Sequence, residues 1–437
     1  MNIPADIFTT PRLIIRRARL EDAGFLYRLW KNPRVMSNVG FPQGLPITRE
    51  QIESQIARHG TSVYDKYLIV TLRATGEPIG QCKLGSPNLQ GISSTDVKLS
   101  PEFWGQGYGV EVKRGLVDYL FIHAPVLAIE ADPASTNLPS IRMQEAVGGL
   151  RVSEFNSDFA HHLVYRVHRF DWERQKNGLP IAPEPLRSLL ADLLPGLVPG
   201  CQALALTGSF ARGCDNEFSD LDLYRFIDEP AGRSHRYSLH PSKRLVSLTT
   251  TTISEQAADL EKPQRAMWAA PGLSQMWVLF DRTGGLTQLK AQAAAYNPAA
   301  HSEQAAAWIS ATLMGYAEEI TKILSGLQCG DDGAALYGLI GIEYDLGQMA
   351  ALRLGELFET ENHFFTQVLQ AAPPEWSRLY RVMMGFYATS IPQRARAGLG
   401  LYRYTCRWLD DNILPQHHEI IAYAVSLIPP EYESADL

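Results

Sequence analysis

Hydrophobic and polar positions along the 437-residue chain follow two different periods, which divide it into a mixed part and a helical part. Short alternating or apolar runs, separated in places by amphipathic stretches, predict strands at 12–17, 67–73, 78–84, 95–99 and 127–131. A second set of strands mixed with helices is predicted between residues 203 and 280. Beyond residue 300 the strand pattern disappears, and helical periodicity covers 303–325, 334–358, 361–371, 376–389, 392–412 and 417–427.

A proline-rich segment marks the main boundary in this pattern. The alternating run 164–170 predicts a closing strand, and three prolines follow between residues 179 and 185. Such a stretch cannot continue a helix and has little to bury, so 173–185 is predicted to be a linker. We therefore expect an α+β multidomain protein, divided into a first domain at 1–172, a second mixed core at 186–300 and a helical bundle at 301–437.

Composition narrows the class of protein. With 45% hydrophobic and 20% charged residues, the chain has the balance of a globular protein rather than a disordered or fibrous one. Its five cysteines show no CxxC spacing, which disfavours a disulfide scaffold or zinc ribbon and favours a cytoplasmic location. The N-terminus lacks the pattern of a signal peptide, and no run of about 18 apolar residues predicts a membrane span.

Charge is unevenly distributed along the chain. The formal net charge of -7 disfavours a nucleic-acid binder, and it divides into +2 for residues 1–175 and -9 for residues 176–437. An acidic half can attract small cationic molecules by long-range steering. An ordinary solvated surface explains the same numbers equally well.

The first candidate site is a glycine-rich turn between a predicted strand and a helix. Gly105, Gly107 and Gly109 let the backbone approach a ligand, and the start of the following helix supplies unpaired N–H groups. Together they predict an anion cradle suited to a pyrophosphate, although a tight loop without function has the same pattern.

With this turn, residues 10–172 resemble a GNAT-type acyl-CoA N-acyltransferase. The family's Q/R-x-x-G-x-G/A signature falls on Trp104-Gly105-Gln106-Gly107-Tyr108-Gly109, with Trp104 in the first position. The family's helix-opening asparagine matches Asn137, and Ser140 follows one turn later. The resemblance implies a GNAT fold and acetyl-CoA as acyl donor, with these eight residues in contact with it.

Within that family, Asp132-Pro133 and the following Ser-x-Asn-Leu and Ile-Arg resemble aminoglycoside 6′-N-acetyltransferases. The resemblance implies that Asp132 is the catalytic carboxylate. A carboxylate at a strand end can hold a substrate ammonium and accept its proton. The alternatives are that Asp132 caps the next helix or that Glu130 takes the role. This chemistry needs no metal.

The second candidate site lies between residues 204 and 223. A hydrophobic strand leads into Gly208-Ser209, where the backbone can approach phosphates. Asp220 and Asp222 alternate on a predicted strand, so both carboxylates point to one face. Two carboxylates beside a phosphate cradle predict a Mg²⁺–triphosphate site.

This GSxARG…SDxD arrangement, followed by a helical bundle, resembles the antibiotic nucleotidyltransferases of the DNA polymerase β superfamily. The resemblance implies that Gly208, Ser209 and Arg212 bind ATP or another nucleoside triphosphate, and that Asp220 and Asp222 are catalytic and bind Mg²⁺. The family's third carboxylate is missing, because Ser247 or Thr249 stands at its expected position. Three explanations are open: one metal ion suffices, Glu255 substitutes for the missing carboxylate, or the domain is catalytically weakened. The residues do not decide among these.

In those enzymes a base lies on a bundle helix, and Glu319 is the corresponding choice here, against the alternative of a solvated helix acid. The paired histidines His161-His162 and His417-His418 are interpreted as surface residues.

We predict a bifunctional enzyme that transfers acetyl to an amine and AMP to a hydroxyl of a small cationic, aminoglycoside-like substrate. Two rivals remain: modification of a protein substrate, and a nucleotide-sensing second half that regulates the acetyltransferase. A homodimer is left open.

Overall fold

The computed structural model of the protein describes residues 6–58, 64, 67–176, 178, 180–228 and 232–433. Within these residues, the N-terminal part holds an eight-stranded sheet of order β1-β2-β3-β4-β5-β6-β8-β7. Its strands are β1 (Asp6–Thr9), β2 (Leu13–Arg17), β3 (Leu68–Leu72), β4 (Pro78–Leu84), β5 (Ile92–Leu99), β6 (Ala128–Ala131), β7 (Leu150–Asn156) and β8 (His161–His168).

Helices cover both faces of this sheet. They are α1 (Ala23–Lys31), α2 (Pro33–Met36), α3 (Arg49–Ala57), α4 (Tyr108–His123), α5 (Leu138–Glu145) and α6 (Arg169–Lys176). The apolar side of α4 packs on one face, where Val112, Leu116 and Leu120 are fully buried. On the other face, α1 and α3 bury Leu26 and Ile52 against β3. The predicted mixed sheet with helices is confirmed for this part of the chain.

A second, five-stranded sheet of order β11-β12-β10-β9-β13 follows in the described residues. Its strands are β9 (Ala203–Thr207), β10 (Leu221–Phe226), β11 (Ser234–Leu239), β12 (Leu245–Thr251) and β13 (Trp277–Asp281). β10 runs parallel to β12 and antiparallel to β9. The helices of this part are α7 (Leu186–Leu197), α8 (Gly208–Arg212), α9 (Ile253–Leu260), α10 (Pro263–Gln275) and α11 (Gly285–Ala294).

The remainder of the chain is helical, as predicted. Its α-helices are α12 (Ser302–Gly315), α13 (Ala317–Cys329), α14 (Asp332–Leu354), α15 (Phe364–Ala371), α16 (Pro374–Met384), α17 (Ile391–Trp408) and α18 (His418–Ser426). They enclose a separate core that includes the fully buried Trp376, Tyr380 and Tyr402. Among the residues described, no helix has the length and apolar character needed to cross a membrane.

Three details differ from the sequence predictions. The segment 303–325 contains two helices, because the chain turns at Tyr316 after Gly315. From the sequence, Pro195 and Gly196 are expected to end a helix, but α7 continues to Leu197 and carries Pro195 in its last turn. Strand β7 was not predicted, since the alternation of Leu150 and Val152 with polar residues breaks at Glu154, and its side chains are almost all exposed.

The predicted linker is a packed junction in the structure. Its first residues belong to α6, and the main-chain N–H of Ala182 donates to the Asp171 carboxylate at 2.6 Å. Leu127 and Phe170 from the first part share one hydrophobic cluster with Leu190 of α7 and Leu204 of β9. The two parts are therefore joined by a common core rather than by an exposed tether.

Candidate functional sites

The glycine-rich turn connects the end of β5 to the start of α4. Gly105 (φ 72°) and Gly107 (φ 81°) have left-handed backbone conformations, which glycine adopts without strain. Trp104 fixes the turn to the sheet, because its Nε1–H donates to the Leu99 carbonyl at 2.8 Å. No side chain among the described residues caps α4, so the N–H groups of its first turn are free to bind an anion.

An ion pair beside this turn holds it in place. Arg12 donates from Nε to the Glu111 carboxylate at 2.6 Å and from Nη1 to the Gln106 carbonyl at 3.1 Å, and its guanidinium lies 4.4 Å from the centre of the Tyr108 ring. Burial alone would raise the pKa of Glu111, but hydrogen bonds from Thr10 and Arg12 lower it. Arg12 thereby balances the one carboxylate in the first turn of α4. A groove of about 560 Å³ begins here and continues along α4.

β5 and β6 diverge next to the turn. Their parallel pairing covers Ile92 to Ser94 and then ends, although β5 continues to Leu99. The Ser94 carbonyl and the Ser100 N–H form hydrogen bonds with the chain of β4 and the residue after it. Because peptide groups alternate in direction along a strand, those of Thr95 and Val97 point to the opposite side, where β6 has diverged. These groups can bind the amides of an extended ligand. These peptide groups could not be predicted from the sequence, because main-chain groups leave no signature in the residue types.

Asn137, Ser140 and Gly109 lie at the neighbouring helix α5. The Asn137 side chain accepts from the Ser140 N–H at 3.2 Å and is therefore the cap of α5. A side chain at Gly109 would come within 3.3 Å of Met143 Sδ, so this glycine lets α4 and α5 pack closely. Asn137 and Gly109 therefore have structural roles next to the cradle. Because Asn137 is the cap, the alternative that Asp132 caps this helix is excluded.

Asp132 follows directly after β6 and is exposed. Within the described part of the chain, its carboxylate has no hydrogen bond or ion pair, whereas Glu130 is paired with Arg166 at 2.7 Å. Asp132 is therefore the better candidate to hold a substrate cation. The interpretation of His162 as a surface residue is wrong: only 6% of it is exposed, and its Nδ1 lies 2.8 Å from the Asp132 carbonyl oxygen.

In the second half, the structure brings Gly208 and Asp222 together. Gly208 begins α8 with a φ of 70°, and a Cβ at this position would overlap Asp222 Oδ2. Asp220 immediately precedes β10 and Asp222 lies within it. Burial first, and then the nearby Asp220 carboxylate, raise the pKa of Asp222, which a bound divalent cation would counteract. Glycine is thus required where the strand end meets the carboxylate.

The register of β10 with β12 separates the two positions that the sequence offers for a third carboxylate. Ser247 is the cross-strand neighbour of Asp222, whereas Thr249 lies two pairs further along, opposite Tyr224, and contacts His235 at 3.0 Å. Glu255 is not a replacement, because Thr251 and Thr252 occupy its carboxylate at the start of α9. Two carboxylates suit Mg²⁺ that takes its other ligands from phosphates and water. No group of three or more metal-binding side chains occurs among the residues that the structure covers.

The remaining residues predicted to bind the nucleotide are Ser209 and Arg212, which follow Gly208 in α8. Arg212 influences Asp222 electrostatically but donates to the Glu359 carbonyl at 3.3 Å, which connects α8 to the helical bundle. The main-chain carbonyl of Ser209 accepts the Cys214 N–H. Arg244 was not predicted as part of this site. Its Nη1 donates to the carbonyls of Asn216, Glu217 and Ser219 and so fixes the loop before Asp220.

Glu319 lies in the helical bundle. Its Oε1 pairs with Lys322 at 2.8 Å, and its side chain lies against Gly341. Of the partners seen in the described residues, none belongs to the five-stranded sheet, so no direct contact links Glu319 to Asp220 or Asp222. The structure does not bring this predicted base to the other residues of the site.

Comparisons with known proteins concern the first half. Residues 12–149 match the family model for an acetyltransferase (GNAT) domain. The uncharacterized N-acetyltransferase p20 of Bacillus licheniformis is 27% identical over 139 residues, which are 31% of this chain and 76% of that protein. The family match does not reach the second candidate site.

Two solved structures are also similar. Spermidine N-acetyltransferase from Vibrio cholerae, in complex with CoA and spermine, is 17% identical and covers 37% of this chain and 97% of its own, with a TM-score of 0.33. The aminoglycoside acetyltransferase AAC(6′)-Ib, in complex with ribostamycin and coenzyme A, is 22% identical and covers 38% and 97%, with a TM-score of 0.32. On the family match and the geometry above, residues 12–149 of this chain form an acetyltransferase domain of the GNAT family.

Proposed function

We propose that the N-terminal domain transfers an acetyl group from acetyl-CoA to an amine of a small, cationic, aminoglycoside-like or polyamine-like substrate. The observation that carries this proposal is the exposed, unpaired carboxylate of Asp132, two residues beyond the last pair of β5 and β6. The five cysteines are all unpaired thiols, which supports a cytoplasmic location for this chemistry.

The chain's own groups divide the work of the reaction. The turn at Gly105–Gly109 and the first N–H groups of α4 hold the pyrophosphate, and the free peptide groups of Thr95 and Val97 align the arm that carries the thioester. Asp132 holds the substrate ammonium and accepts its proton. The amine nitrogen then bonds to the thioester carbon, the carbon–sulfur bond breaks, and the thiolate of CoA leaves and takes up a proton.

Replacement of Asp132 by Asn tests this role. We expect D132N to lower kcat/KM for the amine about 100-fold, because the proton acceptor is lost, while the KM for acetyl-CoA stays unchanged. Aminoglycosides and polyamines are the substrates to test, with CoA release and product mass as the measurements. E77Q, in the exposed turn between β3 and β4, is the control. Unchanged acceptor kinetics in D132N would exclude the role.

A second candidate function is transfer of AMP from ATP to a hydroxyl by the C-terminal half. The close approach of Gly208 to Asp222, with Asp220 beside it, supports this proposal, because it places two carboxylates against a backbone that can receive phosphates. Asp220 and Asp222 would hold Mg²⁺, which supplies charge neutralisation at the phosphates when bound. Arg244 fixes the loop that carries Asp220.

Pyrophosphate release from ATP and Mg²⁺ in the presence of aminoglycosides tests the second function. We expect release by the native chain, loss of more than about 100-fold in D222N, and no change in D192N, which alters an exposed acid on α7. Removal of Mg²⁺ by EDTA should also abolish release. A native chain that binds ATP without forming pyrophosphate contradicts transfer.

A substrate with both amines and hydroxyls suits both proposed sites, and the charge of -9 in the second half favours a cation. The same reagents distinguish these two functions from two alternatives, a protein substrate and a regulatory domain. Labelled ATP that appears on a protein band indicates a protein substrate, and nucleotide binding that changes acetyl transfer without pyrophosphate indicates a regulatory domain. The occupation of the third carboxylate position by Ser247 supports the regulatory alternative.

A further inference from the structure

His162 lies beneath the exposed end of the first sheet. It is flanked by two aromatic rings, Phe155 on β7 with a centroid distance of 4.9 Å and Phe159 in the β7–β8 loop at 5.2 Å. Both phenylalanines are about half exposed, whereas the histidine is buried. The histidine and the two phenylalanines lie together with Asp132 at this edge of the sheet.

Both ring nitrogens of His162 have partners. Nδ1 lies 2.8 Å from the main-chain carbonyl oxygen of Asp132, and Nε2 lies 3.0 Å from Ser157 Oγ. Because a carbonyl oxygen can only accept, the hydrogen must be on Nδ1. The Ser157 hydroxyl can then donate to Nε2. A buried histidine with both nitrogens satisfied and a stacked ring on one side has a defined orientation.

The chain after β6 needs such a restraint. Pro133 has no N–H, so its pairing with β8 consists of one bond, from the Leu163 N–H to the Pro133 carbonyl at 3.0 Å. The next bond along this edge joins the Ser135 N–H to the His161 carbonyl at 2.8 Å. The bond from His162 reaches the carbonyl of Asp132 itself, at the residue whose carboxylate is unpaired.

We propose that His162 is a positioning residue for the acetyl acceptor: its Nδ1–H holds the main chain of Asp132 so that the carboxylate faces the substrate amine. This inference rests on the proposed acetyltransferase function. Phe159 extends the restraint to the chain after α2, since its ring lies so close to Gly40 that a Cβ there would come within 2.8 Å of it. Asp132 is thus held by a rigid assembly rather than by a mobile loop.

Three substitutions at this position separate the two hydrogen bonds from the packing. H162F keeps a flat ring between the phenylalanines and loses both bonds. H162N places an amide N–H near the Nδ1 position and keeps the bond to Asp132, whereas H162Q places its amide near the Nε2 position and keeps the bond to Ser157. H161A changes the neighbouring, partly exposed histidine and is the control.

Steady-state kinetics of the full-length chain provide the first readout. We expect H162F and H162Q to lower kcat/KM for the amine by up to about 100-fold, with the KM for acetyl-CoA unchanged, because a displacement of about 1 Å at a reacting group has this effect. H162N should recover most of the activity, and H161A should match the native chain. Equal losses in H162N and H162Q, or a raised KM for acetyl-CoA, would overturn the proposal.

Crystal structures of the native chain, H162F and H162N provide a readout that does not depend on activity. We expect Asp132 to move in H162F and to keep its place in H162N, while Ala128–Ala131 stays unchanged in both. An unmoved Asp132 in H162F refutes the positioning role. If the native chain acetylates no amine, the proposed function fails, and these structures still decide whether His162 holds Asp132.

Discussion

Lys113 is the most unusual charged side chain of the acetyltransferase domain. It lies in the second turn of α4, only 1% of it is exposed, and its Nζ contacts Thr95 Oγ1, at the residue where β5 leaves β6. Burial lowers the pKa of Lys113 to about 7, well below the ordinary value of a lysine. The folded state therefore favours the neutral amine, and the unfolded chain favours the ammonium.

Replacement of Lys113 by Met tests this electrostatic cost. Because the pKa is lowered on folding, the wild-type chain gains stability as pH rises from about 7 to 10 and loses it as pH falls. K113M should therefore raise the free energy of unfolding by roughly 2–4 kcal/mol at pH 7 and by less than about 1 kcal/mol at pH 10. Urea unfolding at both pH values measures the difference, with K176M at an exposed position as control. Equal gains at the two pH values would contradict it.

The turn between β5 and α4 works as one element. Its glycines adopt the left-handed backbone, Trp104 attaches it to β5, and Arg12 attaches it to the chain before β2. These contacts hold the helix start in place without using its first N–H groups. The element is therefore shaped for an anion before any ligand arrives, which reduces the entropy that binding has to overcome.

Alanine at Gly107 separates ligand binding from backbone strain. G107A and G76A both place a Cβ on a left-handed residue, with φ values of 81° and 72°, so each should cost about 1–2 kcal/mol of stability. Only G107A adds a side chain to the cradle, where its Cβ lies 3.5 Å from Arg12 Nη2. We expect a higher KM for acetyl-CoA in G107A alone. Equal KM values in both variants would show that the turn does not hold the ligand.

The molecule as a whole is joined through the cluster that contains Leu127 and Phe170 of the first part and Leu190 and Leu204 of the second. Arg169 fixes the first part's side of this junction, because its buried guanidinium donates to the carbonyls of Phe121, Ala124 and Val126 at 2.7 Å each. A shared core means that neither part can lose its structure here without exposing apolar surface of the other.

Cooperative unfolding follows from this junction. Phe170→Ala removes a ring that is 1% exposed and should cost about 3–5 kcal/mol. We expect calorimetry to show that it shifts the unfolding of the acetyltransferase domain and of the five-stranded sheet together. F218A, at a residue that is 88% exposed, is the control and should change neither. Independent unfolding of the two parts, with one unaffected by F170A, would contradict the shared core.

Much of the architecture is predictable from local patterns in the sequence. The strands β3 and β4, the helical third and the strand–turn–helix at Gly105–Gly109 depend on period and on turn residues that act within a few positions, and the structure confirms them. The family of the first domain is predictable from the same segment and is confirmed by the match over residues 12–149. The roles of the second site remain predictions.

Contacts between distant segments were decided by the tertiary structure. The sequence offered Ser247 and Thr249 equally for the third carboxylate position, and the register of β10 with β12 places Ser247 beside Asp222. It also placed His162 on the surface, because the paired histidines lack a matching set of carboxylates or cysteines. In the structure, the pairing of β7 with β8 sets Phe155 against His162, which is buried. Residue type and spacing determine which element forms, but burial, charge pairing and backbone orientation depend on which elements meet.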